Sequence, residues 1–178
     1  MNTYKNFSSA AVLATAVVML GGSPASAFVT QEEPAGTSVE RERGIVMECV
    51  GEADGLQAYA SLYENNRYGN HLQVVLGDPD AGNGRSKLVK RRILEDGTVR
   101  AAITIDGARV RIKGTAARVG KKEHVHEELD DAGYHVTSDG THRRLATDLV
   151  MRYDGTVVPL TCDPAFAYDL KVTKDPIT

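Results

Sequence analysis

Tryptophan is absent from this chain, and 178 residues hold only two cysteines, three phenylalanines and six prolines. No apolar run reaches 18 residues, which excludes a protein that crosses a bilayer several times on helices. Seventeen glycines and six prolines are too few for a collagen-like or wholly disordered polymer. Gly-x-Ser-x-Gly is missing, and no spacing of Ser, His and Asp marks a triad or a paired-carboxylate site. What is there is ordinary globular composition, 42% hydrophobic and 25% charged, with length for one domain.

The N-terminus reads as an export signal. Lys5 supplies the positive charge and Ala10 to Leu20 an apolar stretch of 11 residues. Gly21 to Pro24 break it, and Ala25-Ser26-Ala27 offer the small side chains a signal peptidase needs. An uncleaved anchor is the alternative, but such a helix spans only about 16 Å, roughly half a bilayer core. Cleavage after Ala27 leaves a secreted chain from Phe28 with no transmembrane segment. No cysteine follows the apolar stretch directly, so no lipid anchor is expected. Residues 28–42, with Gln31-Glu32-Glu33-Pro34, lack periodicity and read as a flexible arm. Residues 43–178 then form the single domain.

In an oxidising compartment the pair Cys49 and Cys162 favours a disulfide. A loop of that length is worth ~4.7 kcal/mol by the chain-entropy account, set against the ~5–15 kcal/mol of a typical domain.

The body of the chain alternates in hydrophobicity with period two. Val99, Ala101, Ile103 and Ile105 oppose Arg100 and Thr104, and Ala108, Val110 and Ile112 oppose Arg109, Arg111 and Lys113. Each pattern implies a strand with one wet and one buried face. Asp-Gly occurs five times, at Asp54, Asp96, Asp106, Asp139 and Asp154, and suits two-residue hairpin turns. The alternation predicts strands at 43–50, 56–65, 70–77, 86–94, 98–105, 108–118, 121–129, 134–137, 142–153, 156–162 and 166–173. A short helix at 121–132 is the alternative there, since Val125 and Leu129 are four apart. The expected fold is all-β, a closed antiparallel up-and-down β-barrel of about 8–10 strands, because a Cys49–Cys162 bridge would bring the two ends of the sheet together. The shape compares with lipocalin or avidin barrels as architecture alone, since the Gly-x-Trp of lipocalins is absent. A β-sandwich is the alternative.

Several residues are candidates for chemistry. His124 and His126 share a strand face, and Glu128 shares it with them. His135 or His142 could complete a metal site, although the pair is expected to stand solvated and unliganded. The loop Gly77 to Gly84 has Asn83 where a phosphate loop needs Lys, and Val89 where a calcium loop needs Glu. No cofactor is expected. Tyr59 and Tyr63 share a face and Tyr68 follows in the turn, which could line a site for a small apolar or sugar ligand. From Arg85 to Arg118 ten basic residues meet three acidic ones. Arg109, Arg111 and Lys113 lead a positive face that could attract an anionic envelope surface. Glu123, Glu127, Glu128, Asp130 and Asp131 on the next strand are the expected neutralising partners. Nucleic acid is not expected, because the mature chain is exported and net acidic, and no aromatics interleave the basic residues. The functional expectation is an exported, non-enzymatic β-barrel that binds a small ligand inside or a partner on its surface. A metal-binding protein built on His124 and His126, or a secreted enzyme with dispersed residues, is the alternative.

Overall fold

The computed structural model describes residues 36–77 and 83–177. The expected signal, most of the arm and residues 78–82 of the Gly77 to Gly84 loop lie outside the described residues. The strands are β1 (Ser38–Ala53), β2 (Leu56–Asn65), β3 (Gly69–Leu76), β4 (Asn83–Val89), β5 (Leu94–Glu95), β6 (Thr98–Ile105), β7 (Ala108–Arg118), β8 (Glu123–Asp131), β9 (Tyr134–Tyr153) and β10 (Thr156–Pro176). There is no helix among the described residues, so 123–131 is strand. The last five residues of the expected arm belong to β1, where Ser38 to Glu42 pair with Lys174 to Leu170.

Four of the five Asp-Gly pairs make the hairpin turns. Asp54, Asp96, Asp106 and Asp154 take φ of 44 to 52°, and the glycines after them 75 to 82°. Positive φ at both residues matches the right-handed twist of the flanking strands. Asp139-Gly140 instead lies inside β9, where a Cβ on Gly140 would sit 2.2 Å from the carbonyl oxygen of Asp169. That glycine serves close approach to β10. The β8–β9 turn uses Ala132-Gly133, at φ 48° and 85°.

The strand order is β4-β3-β2-β1-β10-β9-β7-β6-β5, with β8 also on β9. These nine strands curl into a half-barrel. The expected closed barrel does not form. The first and last strands do meet, and Cys49 lies directly opposite Cys162 with Cα atoms 3.9 Å apart and the sulfurs bonded. Yet β1 and β10 stand mid-sheet, and the edges are β4 and β5, neighbours in the chain. The segment between them is tied down instead of pairing. The Glu64 carboxylate accepts the N–H groups of Ile93 and, at 2.9 Å, Leu94. Asn70 Nδ2 donates to the Arg91 carbonyl at 2.9 Å. Edge strand β4 carries Arg85 and Lys87, charges of the kind that discourage edge-to-edge pairing. Arg85 reaches Asp106 across the opening at 3.6 Å.

One sheet carries two cores on opposite faces. The larger fills the half-barrel with Met47, Leu62, Leu72, Val74, Ile105, Ile112 and Met151 among its buried side chains. The smaller joins Val136, Tyr168, Leu170 and Val172, flanked by Val46, Tyr63 and Phe166. Along β10 the buried face passes from Ala165 and Ala167 to Tyr168, Leu170 and Val172 with no turn between. The strands expected at 134–137 and 142–153 are therefore one strand of 20 residues, β9. Those expected at 156–162 and 166–173 are one strand of 21, β10.

Replacing Cys49 by Ser should lower the unfolding free energy by ~2–5 kcal/mol in denaturant titration. An unchanged midpoint, or free thiols titrating in the air-exposed native protein, would contradict the bridge.

Candidate functional site

Basic side chains gather in two places. On the convex side of the half-barrel, Arg109, Arg111 and Lys113 point outward from β7 while Val110 and Ile112 point into the core. Arg100 of β6 stands opposite Lys113, and Arg152 of β9 opposite Arg111. All five are exposed. Like charges directly opposite one another repel, and among the described residues no carboxylate forms an ion pair with any of the five. The expected partners on β8 are elsewhere. β7 ends at Arg118 opposite Leu145, and β8 begins at Glu123 opposite His142. The two strands follow one another along the same edge of β9, so acidic β8 extends β7 and does not lie beside it.

The second place is a cleft of about 620 Å³ at the mouth of the half-barrel, on its concave side. Arg43, Arg92, Arg118, Lys122 and Arg143 line it, with Glu64 and Asp169 as its carboxylates. Glu64 is 5% exposed and continues the inward series Ala58, Ala60, Leu62 of β2. Besides holding the Ile93 and Leu94 N–H groups, it lies 3.7 Å from Arg92 Nε. Asp169 accepts two hydrogen bonds from Arg41, at 2.7 and 2.9 Å, and one from Arg43 at 3.3 Å. Arg41, then Arg43, hold its carboxyl below the usual carboxylate range against a modest burial penalty. In the cleft wall Asn65, 3% exposed, organises the turn after β2. Its Oδ1 accepts the N–H groups of Arg67 and Tyr68, and its Nδ2 reaches Glu42, Tyr63 and Tyr168. Tyr168 in turn donates to the Glu64 carbonyl at 3.0 Å.

The three tyrosines named from the sequence do not converge. Tyr59 donates to Glu48 of β1, and burial first, then Glu48, raises its pKa. Tyr63 stacks on Tyr168 with ring centroids 6.4 Å apart. Tyr68 is exposed in the turn, 3.3 Å from Glu40, with its pKa pushed up to about 12 by burial of the hydroxyl and the charges of Glu42 and Glu40. None of the three lines the cleft. Of the cleft residues, the inward Glu64 carried a readable signal, a charge at an apolar position of a regular alternation. Arg43, Arg92, Arg118, Lys122 and Arg143 come together only through strand register.

No known family and no curated protein matches the chain. Among solved structures it is similar to the crystal structure of a provisionally assigned AttH from Nitrosomonas europaea, at 12% identity and a TM-score of 0.29. The match takes in 78% of this chain and 52% of that one, so the chain spans about half the length of that protein.

The histidines of β8 and β9 form pairs with carboxylates across the ladder and, for His126, also along β8. His126 Nδ1 lies 3.1 Å from Asp139 and its Nε2 3.3 Å from Glu128. His135 Nδ1 lies 2.8 Å from Asp130, and His142 Nε2 2.9 Å from Glu123. His124 approaches Asp139 to 3.8 Å. Among the described residues no group of three such side chains closes on one point. Asp139 first, then Glu128, raises the pKa of His126 above the ordinary 6.5, and Asp130 does the same for His135. With folded values above unfolded ones, the stabilisation is complete below the unfolded pKa and is lost as pH rises through the folded ones. Amide exchange in β8, corrected for intrinsic rates, should therefore be slower at about pH 6 than at about pH 8. The difference should vanish in His126→Ala/His135→Ala. Equal protection at both pH values in the parent chain would contradict the pairing.

Proposed function

We propose that this is an exported, non-enzymatic binding protein that docks on an anionic polymer through the outward face of β6, β7 and β9. The observation that carries the reading is the excess positive charge of that face, five cations without an ion pair among the described residues beside Asp148 of β9. Arg100, Arg109, Arg111, Lys113 and Arg152 stand exposed, two pairs of them like-on-like across the ladder. An anion bound there relieves the repulsion and adds charge-assisted hydrogen bonds. Successive outward side chains on β7 recur about every 6.8 Å, so a chain of regularly spaced anions can run along the strand.

A flexible polymer suits the face better than a bilayer does. The face is convex, so a chain can follow it where a flat membrane touches it along one line. The chain has no Trp to anchor in a headgroup layer. Export is supported by the Met1 to Ala27 signal pattern and is compatible with the Cys49–Cys162 bridge. Burial of Met47, Leu62, Val74 and Ile112 inside the half-barrel favours the outer surface over an internal ligand.

Long-chain inorganic polyphosphate, an anionic polymer without bases or sugars, is the probe. Arg109→Gln/Arg111→Gln/Lys113→Gln should weaken its binding in calorimetry by on the order of 100-fold, taking ~1 kcal/mol per cation near an anionic surface. Affinity of the parent chain should also fall steeply with salt. Unchanged affinity in the triple variant would overturn the reading.

A further inference from the structure

The strand interruption between β7 and β8 does more than separate basic from acidic residues. Four residues, 119–122, stand on one side of the ladder where only Arg143 and Arg144 stand on the other. Val119 N donates to the Arg144 carbonyl at 2.9 Å and Arg143 Nε to the Gly120 carbonyl at 3.1 Å, which fixes the irregular segment. Extra residues in one strand re-aim side chains and locally break the pleat. Here they bring Arg118, Lys122 and Arg143 to the wall of the mouth cleft.

The charge in that cleft is not balanced. Five cations line it against two carboxylates. Glu64 is taken up by two backbone N–H groups and Arg92, and Asp169 by Arg41 and Arg43. Arg118 and Lys122 have no carboxylate within ion-pair distance among the described residues. Two neutral donors of the wall are engaged elsewhere, because the Asn66 amide holds the Arg41 carbonyl and the Asn70 amide the Arg91 carbonyl. Three cations thus converge on a half-enclosed space of the volume that small ligands occupy.

We propose that the mouth cleft is a binding site for a small phosphate-bearing anion, held by Arg118, Lys122 and Arg143. A phosphate suits it better than a single carboxylate. It carries up to two charges and presents oxygens in several directions, which lets two guanidinium forks and an ammonium engage one group. The site is separate from the polymer-docking face: it opens on the concave side, and none of Arg100, Arg109, Arg111, Lys113 and Arg152 lines it.

Calorimetry with inorganic pyrophosphate at physiological salt tests this on the mature, oxidised chain. The expected result is saturable binding at one site per chain, weakened at least tenfold in Arg118→Gln/Lys122→Gln. Binding by Arg109→Gln/Arg111→Gln/Lys113→Gln should stay within twofold of the parent. Lys122→Glu alone, at an exposed position, should abolish binding and guards against misfolding of the double variant. Polyphosphate binding by the outer face should survive Lys122→Glu, so failure of either site is read separately. Absence of saturable binding, equal affinity in the Lys122→Glu variant, or loss only in the outer-face variant would overturn the proposal.

Discussion

The antiparallel pairing of β1 with β10 is the constraint on which the rest of the molecule depends. It joins the two ends of the described chain along the middle of the sheet, from Ser38 opposite Lys174 to Val50 opposite Thr161, with the Cys49–Cys162 bond inside it. On one side hang β2, β3 and β4, and on the other β9, β7, β6 and β5. Without this pair each group would be a small sheet with an unpaired edge and half a core. The same pair carries the irregularity of the fold. Its register shifts between Met47 and Cys49, and nearby the buried side of both strands changes over. One continuous sheet therefore serves two cores on opposite faces.

Electrostatics follows from the same geometry. Long β9 has room for two strands end to end on one edge, basic β7 and then acidic β8. Had β8 lain beside β7, its carboxylates would have met the arginines across the ladder. Placed in line, Glu128, Asp130 and Glu123 pair with His126, His135 and His142 instead. At about 0.15 M salt charges are screened over ~8 Å, which is less than three residues of strand. The acidic extension and the basic barrel are thus nearly independent surfaces.

Much of this was legible in the chain. The alternation of Val99, Ala101, Ile103 and Ile105 correctly marked buried positions, and four Asp-Gly pairs marked real turns. Proximity of the two cysteines also followed from their even number together with the export pattern read ahead of them. Other features were hidden for physical reasons. Asp139-Gly140 carries the same dipeptide as the turns, but its glycine answers to the backbone of Asp169 across the ladder. Ala132 offers no local reason to take a positive φ, so the β8–β9 turn left little trace. A change of buried face within a strand looks, in sequence, like a break, so the alternation along β9 and along β10 reads as two strands each. The opening between β4 and β5 depends on Glu64 reaching the Ile93 and Leu94 amides, a contact across about 30 residues that no local pattern encodes.

The central claim is that the arginine face is left uncompensated because β8 lies end-on to β7. It is tested most directly by removing the acidic charges of β8. Glu123→Gln, Glu127→Gln, Glu128→Gln, Asp130→Asn and Asp131→Asn are combined in one chain, and polyphosphate affinity is measured at about 0.15 M salt. The account predicts an affinity within twofold of the parent chain, because those carboxylates lie beyond the screening distance of the face. A gain of tenfold or more would mean that β8 neutralises the arginines after all, and would contradict the account.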